Sequence, residues 1–174
     1  MGRHWENNDS FKKQFPELPQ FYIDYENSQK SQAKAAAKSK ADKRFDKQKN
    51  LATVKISCIP ERMMFTVKEF KVKRGQPVRL MFDNPDVTKH NLVIVKPGAV
   101  EEVGNASNLM AADKNGEAKH FIPKSNKIIY HTKLLKEHEK ETLRFKAPKE
   151  PGIYPYLCTY PGHWVIMQGV MIVE

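Results

Sequence analysis

Three side chains that can bind a metal stand close together near the end of the chain, in the segment CTYPGHWVIM. Cys158 is one of two cysteines in the 174 residues, His163 follows it by five positions, and Met167 follows by four more. A thiolate, an imidazole and a thioether are soft or borderline donors, and together they suit copper. Pro161 and Gly162 turn the segment back on itself, so one loop can direct all three side chains to a single point.

A second imidazole would complete the donor set that this chemistry requires. Mononuclear copper sites of this kind use two histidines and one cysteine in a trigonal plane, with a long and weak axial methionine. His90 follows the turn NPDVTK and begins the apolar run HNLVIV, so it can lie at the same end of a sheet as the cysteine loop. We therefore predict that His90, Cys158, His163 and Met167 bind one copper ion.

Other metal sites fit these residues less well. Zinc prefers four strong nitrogen, sulfur or oxygen ligands, and the loop together with His90 offers three. A dinuclear copper centre needs two cysteines in the loop, whereas Cys58 lies far upstream. A single buried cysteine or methionine usually fills the core, and a single histidine is usually structural. We interpret the remaining histidines in that structural way, and they are His4, His120, His131 and His138.

Strands that could hold these residues are visible from about residue 52 onwards. Short runs rich in β-branched and aromatic residues recur between turn sequences such as RGQP, DNPD and KEPG. The candidates are TVKISCI, MFTVKEFKV, PVRLMFDN, HNLVIVKP, KIIYHT, ETLRFKA, IYPYLC and GVMIVE. Seven or eight strands in this length predict an all-β sandwich or barrel. One short helix, capped by Asn105 or Ser107 and ending near Gly116, is predicted within a long connection over about residues 97–125.

The first 51 residues have a different composition. Residues 1–26 mix aromatic, proline and charged residues without a period, which indicates an extended arm, and residues 27–50 are rich in alanine and lysine. The second stretch favours a helix, although Lys30, Lys34 and Lys38 repel one another on one face. We therefore predict a basic arm with a solvated helix or linker over residues 1–51, followed by a domain over residues 52–174.

The net charge of +10 suggests either a nucleic acid or an acidic protein as partner. No nucleic-acid-binding motif accompanies the charge, so we predict no nucleic-acid partner and attribute the charge to solubility or to steering of an acidic protein. No apolar run approaches the length of a membrane-spanning helix, and we predict no transmembrane segment. The opening residues MGRHWENNDS contain no apolar export signal.

The segment CTYPGHWVIM resembles the ligand loop of azurin, a cupredoxin, in which the pattern Cys-Thr-Phe-Pro-Gly-His-x-x-x-Met supplies three of the four main copper ligands. HNLVI is similar to the start of the family's first ligand strand, and EFKVKRGQPVRLMFDN and ETLRFKAPKEPGIYPYLC are similar to other family strands. The resemblance covers about residues 52–174. It implies a cupredoxin-like Greek-key β-sandwich or barrel that holds one type 1 copper ion.

The resemblance also implies roles for individual residues. The strong ligands would be His90, Cys158 and His163. Met167 would be the weak axial ligand, and the backbone carbonyl of Lys89 would lie opposite it. Asn91 and Thr159 would join the two ligand segments by hydrogen bonds, which orient ligands and tune the metal.

The function that the resemblance implies is electron transfer, with copper cycling between Cu(I) and Cu(II), rather than enzymatic catalysis. Its partner would be a redox protein such as a c-type cytochrome or a redox enzyme, alone or within a larger complex, in the periplasm or another exported location. Electrons would leave at the edge of His163, framed by Pro161 and Trp164. Cys58 would stay unpaired. Two alternatives remain open, namely a copper storage or delivery protein and a structural sandwich with a vestigial site.

Overall fold

The computed structural model describes residues 20–174, and the chain divides into two compact units, Met1–Arg44 and Phe45–Glu174. The elements in chain order are α1 (Gln20–Asp46), β1 (Ala52–Ile59), β2 (Met64–Phe65), β3 (Glu69–Val72), β4 (Pro77–Asp83), β5 (Val93–Val95), α2 (Val100–Leu109), β6 (Ile128–His131), β7 (Lys140–Lys146), β8 (Gly152–Leu157) and β9 (Gln168–Val173). Short 3-10 helices lie at Met110–Ala112 and His163–Val165.

The strands form two mixed sheets that pack as a sandwich. One sheet has the order β2-β1-β4-β7 and the other has the order β3-β9-β8-β5-β6. β1 is parallel to β4 and β3 is parallel to β9, while the other neighbouring strands are antiparallel. The predicted all-β sandwich with one short helix in a long connection is confirmed.

The core lies between the two sheets and is built by the alternation of side chains along each strand. On β4 every second residue is fully buried, and these residues are Val78, Leu80 and Phe82. From the facing sheet, Tyr156 and Met171 are also fully buried. The ring of Tyr156 packs against Phe65 of the first sheet with the ring centroids 5.3 Å apart. Aromatic and branched residues therefore hold the two sheets together.

One of the eight predicted strands, MFTVKEFKV, is divided in the structure. Its first part, β2, pairs with β1, whereas its last part, β3, pairs with β9 of the other sheet. The residues between them cross from one sheet to the other, and the hydroxyl of Tyr156 donates a hydrogen bond to the carbonyl of Val67 in this crossing. The described residues consequently form nine strands instead of seven or eight.

Helix α2 packs on the outer face of the second sheet. Ala99, which precedes it, and Val103 are buried against Val93, Val95 and Leu157. All three residues of β5 are fully buried as a result, because the core covers one face of this strand and α2 covers the other.

The predicted boundaries of α2 are wrong. The helix begins at Val100, just after Gly98, which has a φ of 75°, and no side chain caps its first turn. Ser107, one of the two predicted caps, instead donates a hydrogen bond to the carbonyl of Gly104 within the helix. The helix ends at Leu109 and a 3-10 turn follows at Met110–Ala112, short of the predicted end.

Helix α1 is polar over nearly all of its described surface. It begins at Gln20, inside the stretch that was expected to be an extended arm, so that expectation is wrong for residues 20–26. The described side chains of residues 23–44 are almost all exposed. At the last residue of the helix, the carboxylate of Asp46 accepts hydrogen bonds of 2.9 and 3.0 Å from Arg144. Among the described residues, no helix is long and apolar enough to cross a membrane.

The remainder of the arm, residues 1–19, lies outside the described residues, and so does His4.

Two truncations test where the domain begins. A chain that starts at Phe45 keeps the pair between Asp46 and Arg144, whereas a chain that starts at Ala52 loses this pair and the Asn50 carbonyl, to which Gln76 donates a 2.7 Å hydrogen bond. We expect both chains to keep the predicted copper binding, and we expect the shorter one to unfold at a lower urea concentration because these contacts are lost. Loss of copper binding in the chain that starts at Phe45 would show that the arm belongs to the domain.

Candidate metal centre

His90 and Cys158 come together because the beginning of β5 and the end of β8 lie side by side at one end of the second sheet. β5 and β8 are antiparallel with Val93 opposite Leu157, so the beginning of β5 adjoins the end of β8. Cys158 follows β8 directly. The backbone of His90, just before β5, exchanges hydrogen bonds of 3.1 and 2.8 Å with Leu135.

Two hydrogen bonds join these strand ends directly. The side-chain amide of Asn91 donates to the hydroxyl of Thr159 over 2.8 Å, and the backbone N–H of Thr159 donates to the side-chain Oδ1 of Asn91 over 2.7 Å. The Asn91 amide also donates to the backbone carbonyl of His120 over 2.8 Å. Both Asn91 and Thr159 are fully buried, so water cannot compete for these bonds. The structure thus brings together the two residues that were expected to connect the ligand segments.

The loop from residue 158 to 167 is closed by its own backbone hydrogen bonds. The N–H of Cys158 donates to the carbonyl of Met167 over 3.1 Å, and the N–H of Met167 donates to the carbonyl of His163 over 2.9 Å. Gly162 has a φ of 85°, a conformation that favours glycine, and the N–H of His163 donates to the carbonyl of Tyr160 over 3.0 Å. The turn directs the His163 side chain back towards Cys158.

Helix α2 supports this loop from outside the sheet. The backbone N–H of Gly162 donates to the side-chain carbonyl of Asn108 over 2.8 Å. The indole of Trp164 lies against Gly104 so closely that a Cβ atom there would be 2.2 Å from the ring. Asn108 was not predicted as a site residue, because nothing local in the sequence distinguishes a helical asparagine that contacts a loop 54 positions away.

Three donor atoms converge at this end of the sheet. The Sγ of Cys158 lies 3.7 Å from the Nδ1 of His90 and 3.7 Å from the Nδ1 of His163, and the two Nδ1 atoms are 3.2 Å apart. A point slightly outside the plane of the three atoms is about 2.0 Å from both nitrogens and about 2.3 Å from the sulfur, which are the lengths of zinc bonds to imidazole and to thiolate. The residues therefore fit a metal ion held by two imidazoles and a thiolate.

The donors are buried. His90 and Cys158 have no exposed surface and His163 is 7% exposed. Burial raises the pKa of the Cys158 thiol to about 12, although backbone hydrogen bonds from Asn91 and Tyr160 oppose the rise. Burial also lowers the pKa of His163 to about 4, with the neighbouring His90 contributing. The pKa of His90 is lowered by burial as well, against the opposing effect of Asp86. At neutral pH the metal-free centre thus carries a thiol and two neutral imidazoles.

The remaining predicted site residues lie around this triangle. Met167 is fully buried in the same core cluster as Cys158. Lys89 is half-buried, and its ammonium group pairs with Glu117. Pro161 is half-buried within the loop.

The side chain of Trp164 is less exposed than its predicted place on the rim of the electron exit implies. It is half-buried against α2, and its Nε1 has no hydrogen-bond partner within residues 20–174. The exposed apolar side chains of the loop are instead those of Val165 and Ile166, which are 61% and 56% exposed. They follow Trp164 in the same loop, and they were not among the predicted rim residues, which were Pro161 and Trp164.

His120, His131, His138 and Cys58, all among the described residues, do not join this centre. Among the described residues, the group of side chains able to hold a metal ion is His90, Cys158 and His163. Cys58 is buried and free, as is Cys158.

A β-sandwich with two buried imidazoles, a thiol and a buried methionine at one end is the arrangement of a type 1 copper domain, the blue copper or cupredoxin class. Residues 52–174 match the family described as copper binding proteins, plastocyanin/azurin family. The chain belongs to this family, and the predicted cofactor, copper, is confirmed.

Sequence similarity to individual proteins supports the family assignment. The chain is 36% identical over 125 residues to auracyanin-A of Chloroflexus aurantiacus, a match that covers 70% of this chain and 74% of that protein. It is 28% identical over 127 residues to azurin of Pseudomonas aeruginosa, covering 72% of this chain and 75% of that protein.

Solved structures of blue copper proteins are similar as well. The crystal structure of dithionite-reduced auracyanin from Roseiflexus castenholzii has a TM-score of 0.63 and 36% identity, and the match covers 71% of this chain and 97% of that one. Auracyanin A of Chloroflexus aurantiacus, a "blue" copper protein, has a TM-score of 0.64 and 34% identity, with coverage of 71% and 99%.

Metal uptake should release about one proton between about pH 7 and pH 9. The Cys158 thiol, with a pKa of about 12, must lose its proton to bind the metal, whereas both imidazoles are already neutral because their pKa values are lowered. The apparent affinity for Cu(II) should therefore rise with pH. Calorimetric titration of the metal-free protein in buffers of different ionisation enthalpy measures the proton, and Cys158→Ala is the control that should release none. Release of two protons would mean that one imidazole is protonated in the metal-free protein.

Proposed function

We propose that this domain transfers electrons through one copper ion that cycles between Cu(I) and Cu(II). His90, Cys158 and His163 would be its equatorial ligands. Met167 would be the weak axial ligand, with the backbone carbonyl of Lys89 opposite. The observation that carries the proposal is the convergence of three buried donor atoms within 3.7 Å of one another.

The hydrogen bonds around the donors support electron transfer. Asn91 and Thr159 connect the segments that carry His90 and Cys158, and backbone hydrogen bonds connect Cys158 to Met167. Donors that are held in place before the metal binds need to move little when the copper ion gains or loses an electron. Supporting contacts of this kind are what such a centre requires.

The surface near His163 is the proposed electron exit. Of the three donor residues, only His163 has exposed surface. The exposed apolar side chains of Val165 and Ile166 follow it in the loop, and the Asn108–Gly162 hydrogen bond brings in the end of α2, where Leu109 is 79% exposed. In this proposal Pro161 is part of the exposed surface around His163, and Trp164 packs beneath that surface.

The partner in this proposal is a redox protein, such as a c-type cytochrome or a redox enzyme, acting alone or within a larger complex. An apolar patch of modest size suits the small, short-lived interfaces of redox encounters. The net charge of +10 would steer a partner with an acidic surface.

We further propose that substrate chemistry belongs to the partner and that this domain is not itself an enzyme. We propose no nucleic-acid partner. An exported location, such as the periplasm, is also part of it, and this point is supported by the resemblance to azurins.

Copper storage or delivery is the alternative function, and kinetics separates the two. We expect the copper-loaded protein to exchange electrons with a small soluble redox protein within milliseconds to seconds in stopped-flow absorbance, and to keep its copper during that time, because the donors are buried and fixed. Zinc-loaded protein is the redox-inactive control. Rapid transfer of copper to a chelator, combined with slow electron exchange, would support delivery and contradict electron transfer.

A further inference from the structure

A buried carboxylate lies behind the metal centre, on the loop between β4 and His90. Asp86 is 4% exposed. One oxygen of its carboxylate accepts the backbone N–H of Thr88 over 3.0 Å, and the other accepts the backbone N–H of Glu61 over 2.9 Å. The backbone N–H of Asp86 itself donates to the side chain of Asn84 over 3.0 Å. These contacts fix the carboxylate in one orientation, between the turn after β1 and the loop before β5.

This carboxylate faces the side of the His90 ring that is turned away from the centre. The Oδ2 of Asp86 is 3.6 Å from the Nε2 of His90, just beyond hydrogen-bond length. The Nε2 atom is buried and has no hydrogen-bond partner among the described residues. The other ring nitrogen, Nδ1, points towards Cys158 and His163. A ligand imidazole therefore has an ionisable acceptor directly behind it.

A metal bound at Nδ1 requires the ring proton on Nε2, because a neutral imidazole carries its proton on one nitrogen and coordinates through the other. A buried N–H without an acceptor is costly, and Asp86 Oδ2 is the acceptor that His90 has in reach. The two carboxylate oxygens accept the backbone N–H groups of Thr88 and Glu61, and such hydrogen bonds stabilise the charged form of a buried carboxylate. Asp86 therefore carries a negative charge behind His90.

We propose that Asp86 is a positioning residue of the copper centre, which accepts the Nε2–H of His90, keeps Nδ1 free for the metal and favours Cu(II) over Cu(I) by its negative charge. This inference rests on the proposed assignment of His90 as a ligand. A carboxylate behind a ligand histidine orients the ring and makes it a stronger base. Because Cu(II) carries one more positive charge than Cu(I), a fixed negative charge behind the ligand stabilises the oxidised state more and lowers the reduction potential.

The test compares two substitutions that each remove one negative charge. Asp86→Asn removes the charge behind His90, and Asp83→Asn, at the last residue of β4, removes a charge whose contact is with the Ser57 hydroxyl at 3.3 Å. We expect Asp86→Asn to keep the thiolate–copper colour but to lower the ratio of Cu(II) to Cu(I) affinity about tenfold. For a one-electron couple this equals a rise of about 59 mV in the reduction potential. Asp83→Asn should give a much smaller rise.

The outcomes separate this proposal from the assignment of the ligands. Equal potentials in the two variants, with the copper colour intact, would overturn the role of Asp86 and leave the ligands unaffected. Wild-type protein that binds copper without a thiolate–copper band would overturn the ligand assignment, and this proposal with it.

A second measurement needs no variant and covers the case in which Asp86→Asn does not fold. In the Cu(I)-loaded wild type, which is diamagnetic, nitrogen-15 NMR of the His90 ring should show a proton on Nε2 that exchanges slowly with water and resonates as a hydrogen-bonded N–H. A proton on Nε2 that exchanges rapidly would contradict a bond to the buried Asp86.

Discussion

The metal centre depends on the pair of hydrogen bonds between Asn91 and Thr159. These bonds hold together two segments that lie 68 positions apart in the chain, at the point where β5 begins and β8 ends. His90 precedes one partner and Cys158 precedes the other, so the distance between imidazole and thiol follows from this contact. A buried side-chain amide that lost these partners would cost free energy without any compensating bond to water. The geometry of the centre is therefore linked to the stability of this end of the second sheet, where β5 begins and β8 ends.

Burial determines the chemistry that this frame can support. Taking ionisable groups out of water disfavours their charged forms. In the metal-free centre the Cys158 thiol is therefore protonated and both imidazoles are neutral. A copper ion would reverse this state at Cys158, because its charge stabilises the thiolate in the same enclosed space. Asp86 differs from the donors because backbone N–H groups satisfy its carboxylate, which is how a charge persists at 4% exposure. The centre thus combines neutral donors with one fixed charge behind His90.

The sequence was sufficient for the features that depend on local order. Cys158, His163 and Met167 share one loop, and the short apolar runs between turn sequences contain all nine strands, with β2 and β3 inside a single run. It did not reveal which sheet a strand joins, so the division of MFTVKEFKV was missed, and α2 begins without a capping side chain that could mark its start. Asp86 sits among turn-forming residues in DNPDVTK, where an aspartate is common for local reasons. Its place behind His90, like that of Asn108 behind the loop, exists only after folding.

The most direct test of the copper assignment is to add one equivalent of Cu(II) to the metal-free protein and to record its visible absorption and its electron paramagnetic resonance spectrum. We expect an intense blue thiolate-to-copper band with narrow copper hyperfine splitting, since Cys158 Sγ lies at 3.7 Å from both Nδ1 atoms. Cys158→Ala should lack the band, and Cys58→Ala should retain it. A colourless or green product with ordinary copper splitting would contradict the copper assignment, because it would mean that these side chains do not bind copper together.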